Sequence, residues 1–241
     1  MNNPNHSCNI LFVNPPSIPY TYLAESLKDK SLPIAQVIAM PMGILYLSAV
    51  LEEQIDDCNI KILDLAKSVR SFSKNKKRQN IDIDDFFFQE ISSQEWDNFV
   101  PDFIGLSILF STAHKTSGHI ADSLKKLYPN APIIVGGMHA TSAVESLLEI
   151  PSVDYVCRGE AESIIVQVAK SAKSNDDLEK IPGIIGGKKL EQSQKNGIKN
   201  TESAPLIDDL DEIPYPAWHL LEMSEYVGVD SRARIVEISH D

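Results

Sequence analysis

The hydrophobic positions along this chain fall into short continuous runs separated by segments with helical spacing. Short apolar runs bounded by turn residues predict buried β-strands, and five such runs occupy residues 9–13, 59–65, 102–109, 131–137 and 154–159. Between them, apolar residues recur every three or four positions, which predicts amphipathic helices. Strands that alternate with helices indicate βαβ units and a mostly parallel sheet of about five strands. We therefore predict an α/β fold, a Rossmann-like or flavodoxin-like three-layer sandwich.

The loops after the strands are the candidate sites, because open parallel sheets bind ligands beyond the carboxyl ends of their strands. The loop after the first strand begins with Asn14, Pro15 and Pro16. It carries neither the acidic pair of a phosphorelay receiver nor the GxGxxG signature of a dinucleotide site. Its prolines make the loop stiff, so it serves either as pure structure or as a flat wall against a large apolar ligand.

The third and fourth strands lead into loops with small or polar residues. Ser107 and Leu109 end the third strand. A serine within a buried strand usually satisfies its own backbone, and the alternative is a hydroxyl directed at a bound ligand. Gly136 and Gly137 end the fourth strand, where paired glycines let the backbone turn with positive φ and approach a ligand closely.

His139 and Thr141 follow the paired glycines at the start of a predicted helix, whose free N–H groups suit a phosphate or an amide oxygen. By default His139 is a structural or hydrogen-bonding histidine, because no partner metal ligand stands near it in the sequence. The loop after the fifth strand contains Gly159 and Glu160. It is either a capped helix start that favours acidic residues or a ligand contact through the glycine and the carboxylate. All four loops map to one edge of the predicted sheet.

Composition divides the chain into three parts. Residues 1–172 contain the strands and helices, with 66–98 predicted as an insertion that is either a solvated charged segment or one near a ligand or partner domain. Residues 173–204 predict a small β-hairpin extension with polar turns. Residues 205–241 begin as a proline-rich, acidic connector and end in a strand-like stretch at 232–238.

Charge and cysteine content exclude several classes of function. The 241 residues include 22 Lys+Arg and 34 Asp+Glu, a net charge of −12, which argues against a nucleic-acid partner. No apolar run approaches the roughly 18 residues of a membrane span, and no secretory signal precedes the first strand. The 3 cysteines are far apart, so no local Cys pair builds a zinc or iron–sulfur site. An odd number of cysteines suits a reducing cytoplasm, the expected location.

The sequence resembles a known family through an ordered set of motifs, NPP, PMGILYLSAVLE, GLSIL, IIVGGMHAT, DYVCRGEAE, IPG and DEIPYPAW. Over about residues 9–238 it is similar to the N-terminal cobalamin-binding domain of class B radical S-adenosylmethionine enzymes. The resemblance implies a corrinoid over the carboxyl ends of the strands, with Ser107 and Leu109 lining the pocket of its nucleotide tail. The motif positions it assigns to the cofactor are Asn14, Pro15, Pro16, Ser107, Leu109, Gly136, Gly137, His139, Thr141, Gly159 and Glu160.

The same resemblance carries two expectations about what this sequence lacks. The loop after the first strand has no histidine, so cobalamin is expected to bind with its dimethylbenzimidazole displaced and without a histidine ligand from this loop. The family's CxxxCxxC loop, which holds a [4Fe–4S] cluster and S-adenosylmethionine, does not occur here. We therefore expect a fragment without catalytic capacity of its own, which depends on a radical S-adenosylmethionine domain in cis or in trans.

Three functions remain open from the sequence. The first is the cobalamin-binding module of a methyltransferase-like radical enzyme. The second is a degenerate domain of the same fold that has lost the corrinoid and serves as a protein-interaction unit. The third is an independent small-molecule or nucleotide-binding sandwich, which the missing GxGxxG and P-loop motifs disfavour.

Overall fold

A computed structural model describes the chain over residues 7–36, 38–75, 79–94, 96–188, 190–191 and 202–226. Within these residues the strands are β1 (Cys8–Asn14), β2 (Cys58–Asp64), β3 (Phe103–Ser107), β4 (Ile133–Gly136), β5 (Tyr155–Cys157) and β6 (Ile184–Gly186). The helices are α1 (Tyr20–Lys28), α2 (Met42–Gln54), α3 (Leu65–Lys74), α4 (Ile83–Ser92), α5 (His114–Leu127), α6 (Met138–Ser142), α7 (Val144–Leu148) and α8 (Ile165–Ser174). Short 3₁₀ turns occupy Ser111–Ala113, Ala161–Ser163, Leu178–Lys180, Leu210–Glu212, Trp218–Leu220 and Met223–Glu225.

The strands form one sheet in the order β2-β1-β3-β4-β5-β6. The first five are parallel, and β6 pairs antiparallel with β5. This confirms the predicted mostly parallel α/β sheet and adds one edge strand to it. Because β1 lies between β2 and β3, the chain reverses its winding direction there, as in the flavodoxin-like strand order.

Two apolar layers cover the sheet because successive side chains of a strand point to opposite faces. Leu11 and Val13 of β1 pack in a cluster with residues of α1, α3, α4 and α5. Ile10 and Phe12 of the same strand pack in a second cluster with residues of α2 and α8. The result is the predicted three-layer sandwich, with one core on each face of the sheet.

Residues 66–98, predicted as an insertion, instead supply most of the crossover from β2 to β3. Their helices α3 and α4 pack on the first apolar layer, where Val69, Phe86, Phe87 and Ile91 are each at most 2% exposed. The apolar residues of the acidic and aromatic stretch are therefore part of the core. Residues 76–78 of the basic cluster lie outside the described residues.

The segment after α8 returns across the α2/α8 side of the sheet. In the region predicted as a hairpin, β6 joins the edge of β5, and residues 192–201 lie outside the described residues. Three hydrogen bonds then attach residues 204–226 to the domain. The Ala204 N–H donates to the Arg158 carbonyl after β5, the Ala217 N–H to the Leu45 carbonyl of α2, and the Tyr226 hydroxyl to the Asp64 carboxylate. The strand-like stretch predicted at 232–238 also lies outside the described residues. In the part of the chain described, no helix is long and apolar enough to cross a membrane.

Candidate functional site

A cavity of about 390 Å³ lies between the sheet and the pair of helices α2 and α8. Its sheet wall is formed by the apolar side chains of Phe12, Phe103 and Ile134, and its helix wall includes Ile44 and Val168. The cavity extends to the carboxyl ends of β3, β4 and β5. It is therefore an apolar slot that begins in the core and reaches the edge where parallel sheets bind ligands.

Most of the residues singled out from the sequence line this slot. Those in its wall are Ser107, Leu109, Gly136, Gly137, Thr141, Gly159 and Glu160. Those outside its wall are Asn14, Pro15, Pro16 and His139. The structure thus brings three of the four strand-end loops together around one cavity and leaves the loop after β1 beside it.

Glycine is required at two positions of the rim by the backbone itself. Gly137 has φ +101°, and a Cβ there would stand 2.6 Å from the Ile108 carbonyl oxygen. Gly159 has φ +96°, and a Cβ there would meet the Ala204 backbone nitrogen at 3.1 Å. Such φ values are strained for residues with a side chain, so these glycines fix the shape of the loops.

Gly43 has a different role, because no backbone constraint explains it. It lies in the first turn of α2 and lines the cavity, yet a Cβ at this position meets no heavy atom within 4 Å. Gly136 is similar in that a Cβ would contact only Cys157, at 3.8 Å. These two positions keep the slot open without being needed for the turn of the chain.

A hydrogen bond joins the two glycine loops at the mouth of the cavity. The Gly159 N–H donates to the Thr141 hydroxyl oxygen at 3.2 Å. Thr141 belongs to α6, directly after the paired glycines, so this bond ties the loop after β4 to the loop after β5. The predicted role of Thr141 as a contact of the cofactor and this structural role are compatible, because the residue lines the cavity as well.

Two glutamates of the RGEAE motif line the cavity, and they differ in their partners. The Glu160 carboxylate accepts a hydrogen bond from the Ile207 N–H at 2.8 Å, so it holds the connector against the mouth. Glu162 is half-buried, and burial together with the nearby Glu160 raises the pKa of its carboxyl. The sequence leaves the acids of this loop as either helix-start residues or ligand contacts, and the spacing does not show that Glu162 lines a cavity.

His139 contacts another histidine instead of the cavity. Its Nε2 lies 2.9 Å from Nδ1 of His114, the first residue of α5, so one imidazole donates and the other accepts. Burial and the nearby His114 lower the pKa of His139, which favours its neutral form. No group of three or more potential metal ligands occurs among the described residues.

Asn14 lies at the end of β1 and binds the neighbouring strand. Its side-chain amide donates to the Asp64 carboxylate at 2.9 Å, and Asp64 is the N-cap of α3. The Tyr226 hydroxyl donates to the same carboxylate at 2.7 Å, and its pKa is raised chiefly by burial and by this charge. Asn14 therefore belongs to a polar cluster that anchors the connector beside β1 and β2.

Apolar side chains surround the mouth of the cavity and face outward. Leu109 is 53% exposed, Met138 71% and Leu206 77%, and all three line the cavity. Phe110, the neighbour of Leu109, is 60% exposed. An exposed apolar rim around an apolar slot is typical of a surface that a large ligand or a partner covers.

Comparisons with known proteins point to one family. Residues 35–169 match the family model described as the B12 binding domain. An uncharacterized methyltransferase of Pyrococcus horikoshii, PH0819, is 28% identical over 187 residues, which are 77% of this chain and 35% of that protein. Cytidylyl-2-hydroxyethylphosphonate methyltransferase of Streptomyces wedmorensis is 28% identical over 210 residues, 78% of this chain and 38% of that protein. The chain thus spans little more than a third of these curated relatives.

A solved structure with the same fold extends the comparison. The cobalamin-dependent S-adenosylmethionine radical enzyme OxsB, with aqua-cobalamin and S-adenosylmethionine bound, superposes with a TM-score of 0.56 at 19% identity. The match covers 92% of this chain and 25% of that one. At this level of identity the superposition supports the fold.

Proposed function

Because this chain belongs to the B12-binding domain family, we propose that its apolar slot holds the nucleotide tail of cobalamin. The corrin ring then lies over the carboxyl ends of β3, β4 and β5. The observation that carries this proposal is the 390 Å³ cavity that leads from the core to a rim built around Gly137 and Gly159.

The shape of the site supports a nucleotide tail inside the slot and a corrin ring outside it. A flat macrocycle with peripheral amides is too wide for a slot between a sheet and two helices, whereas a single aromatic base suits walls such as Phe12 and Phe103. The exposed Leu109 and Met138 then face the apolar part of the corrin. Burial of such surface contributes about 25 cal/mol per Å², so the rim gives the ring a substantial share of its affinity.

The loop after β1 supports a displaced base. It presents Pro15 and Pro16 and no histidine, so the chain offers no imidazole from this loop to cobalt. When bound, the corrinoid supplies the organometallic chemistry. The protein's residues bind the tail, orient the ring and exclude water from its lower face.

For the whole protein, we infer a methyltransferase-like radical S-adenosylmethionine enzyme whose cofactor-holding part is this chain. Two observations favour this inference: the curated relatives named as methyltransferases extend well beyond the matched region, and the rim is apolar and exposed. The partner domain, in cis or in trans, carries the [4Fe–4S] cluster and S-adenosylmethionine and covers the upper face of the corrin.

Titration of the purified chain with hydroxocobalamin tests the proposal. We expect one corrinoid per chain at micromolar concentrations, seen as a change in the visible absorbance and as cobalamin that co-elutes with the protein in gel filtration. Circular dichroism establishes that the protein is folded. A folded chain that retains no corrinoid at tens of micromolar would support the interaction-unit alternative instead.

A further inference from the structure

The cavity contains one charged group whose role the fold leaves unexplained. We propose that the Glu162 carboxylate accepts a hydrogen bond from a sugar hydroxyl of the corrinoid's nucleotide tail and so selects complete corrinoids over those that lack the nucleotide. This inference rests on the proposed function. It adds a specificity-determining residue to that site.

Two other polar groups of the lining already have partners, and a third lies on a different wall of the slot. The Thr141 hydroxyl accepts from the Gly159 N–H, and the Glu160 carboxylate accepts from the Ile207 N–H. Ser107 is at the end of β3, on the sheet side of the slot. For Glu162, the described structure offers its own backbone N–H as donor. Its carboxylate is thus a charged acceptor of the lining with capacity left for a ligand.

The surroundings of Glu162 make such a ligand contact favourable. The residue precedes α8 and lines a cavity whose walls include Ile164, Ile165 and Leu47. A half-buried carboxylate with few donors costs free energy, because a charged group in apolar surroundings loses hydration. Burial raises its pKa in accord with this cost. A ligand that brings a donor into the slot offsets the cost when it binds.

The chemistry of the tail identifies the donor. The phosphate is anionic, so a carboxylate repels it. Dimethylbenzimidazole carries no N–H once its ring nitrogen bears the sugar, and it therefore offers only an acceptor. The amide N–H groups of the corrin lie on the periphery of the macrocycle, outside the slot. The sugar hydroxyls are the donors that remain within reach of a residue in the slot.

Affinities for cobalamin and for cobinamide, which lacks the nucleotide, test the inference. A hydrogen bond to a charged group corresponds to about a 10- to 100-fold change in dissociation constant. We expect the Glu162→Leu variant to bind cobalamin more weakly by that factor. It should bind cobinamide with the affinity of the wild type. The Glu162→Gln variant keeps an acceptor oxygen and should fall between the two. Glu149→Leu, a change at an exposed position outside the cavity, is the matched control.

Each outcome separates this inference from the proposed function. If Glu162→Leu lowers the affinities for cobalamin and cobinamide equally, or changes neither, Glu162 does not contact the nucleotide tail. The chain is then still a corrinoid-binding module. If the folded wild type binds neither corrinoid, the proposed function fails and the inference falls with it. Circular dichroism of each variant shows that a lost affinity does not come from unfolding.

Discussion

The Gly43→Phe variant is expected to lose at least about 100-fold in cobalamin affinity while it keeps its fold. Gly43 lines the slot, and a side chain there enters open space, with no heavy atom within 4 Å of its Cβ. A benzyl group in a 390 Å³ cavity occupies the space that the base of the nucleotide needs. The fold should tolerate the change, since a phenylalanine is more favourable than glycine in a helix. Absorbance titration with hydroxocobalamin measures the loss.

Gly187→Phe is the matched control for this prediction. Gly187 also has no heavy atom within 4 Å of a Cβ, but it is exposed and lies outside the cavity wall. The Gly187→Phe variant should bind cobalamin with the affinity of the wild type. Gly137 would be a poorer test position. Its φ is +101°, and a Cβ there would lie 2.6 Å from the Ile108 carbonyl oxygen, so a substitution would also destabilise the fold. Equal cobalamin affinities for the two phenylalanine variants would place the ligand somewhere other than this slot.

The Asp64→Ala variant is expected to lose about 2–4 kcal/mol of unfolding free energy, from a lost N-cap and the buried donors left without a partner. Asp64 is only 5% exposed. Its carboxylate accepts from the N–H groups of Ala66 and Lys67, from the Asn14 amide and from the Tyr226 hydroxyl. The change therefore removes hydrogen bonds that hold α3, β1 and the connector together. Chemical denaturation followed by circular dichroism measures it.

Asp82→Ala provides a comparison with the same chemistry at the surface. Asp82 is the N-cap of α4, accepts from the Asp84 N–H and pairs with Lys28 at 2.7 Å, but its side chain is 42% exposed. Water replaces these partners easily, so we expect the variant to lose about 0.5–1 kcal/mol of unfolding free energy. Similar losses for the two variants would show that the buried cluster around Asp64 adds nothing beyond a helix cap.

The strands were predictable because each is a short apolar run bounded by residues that end it. The extra strand Ile184–Gly186 was harder, since three residues carry no alternation that identifies the neighbour with which they pair. The many charged residues of 66–98 favour the interpretation of a solvated insertion, which hides its helical pattern. The buried positions Ile83, Phe86, Phe87 and Ile91 do follow helical spacing, and that signal was present in the sequence.

The candidate site was predictable where it depends on topology and unpredictable where it depends on helix orientation. Parallel strands bring their carboxyl ends to one edge, so the loops with Ser107, Gly137 and Gly159 could be expected to meet. Gly43 and Glu162 reach the same cavity from α2 and from the turn before α8. Which way those elements face is decided by packing across the sheet, and a single sequence does not contain that information.

The electron paramagnetic resonance spectrum of cob(II)alamin bound to the ¹⁵N-labelled protein tests the central claim most directly. Cobalt(II) with a nitrogen ligand below the corrin shows splitting of its spectral lines by that nitrogen. If the slot takes the nucleotide tail and the loop containing Pro15 and Pro16 provides no histidine, the bound cofactor should show no nitrogen splitting. A three-line splitting that persists with labelled protein would mean that the base remains on cobalt, and it would contradict the account.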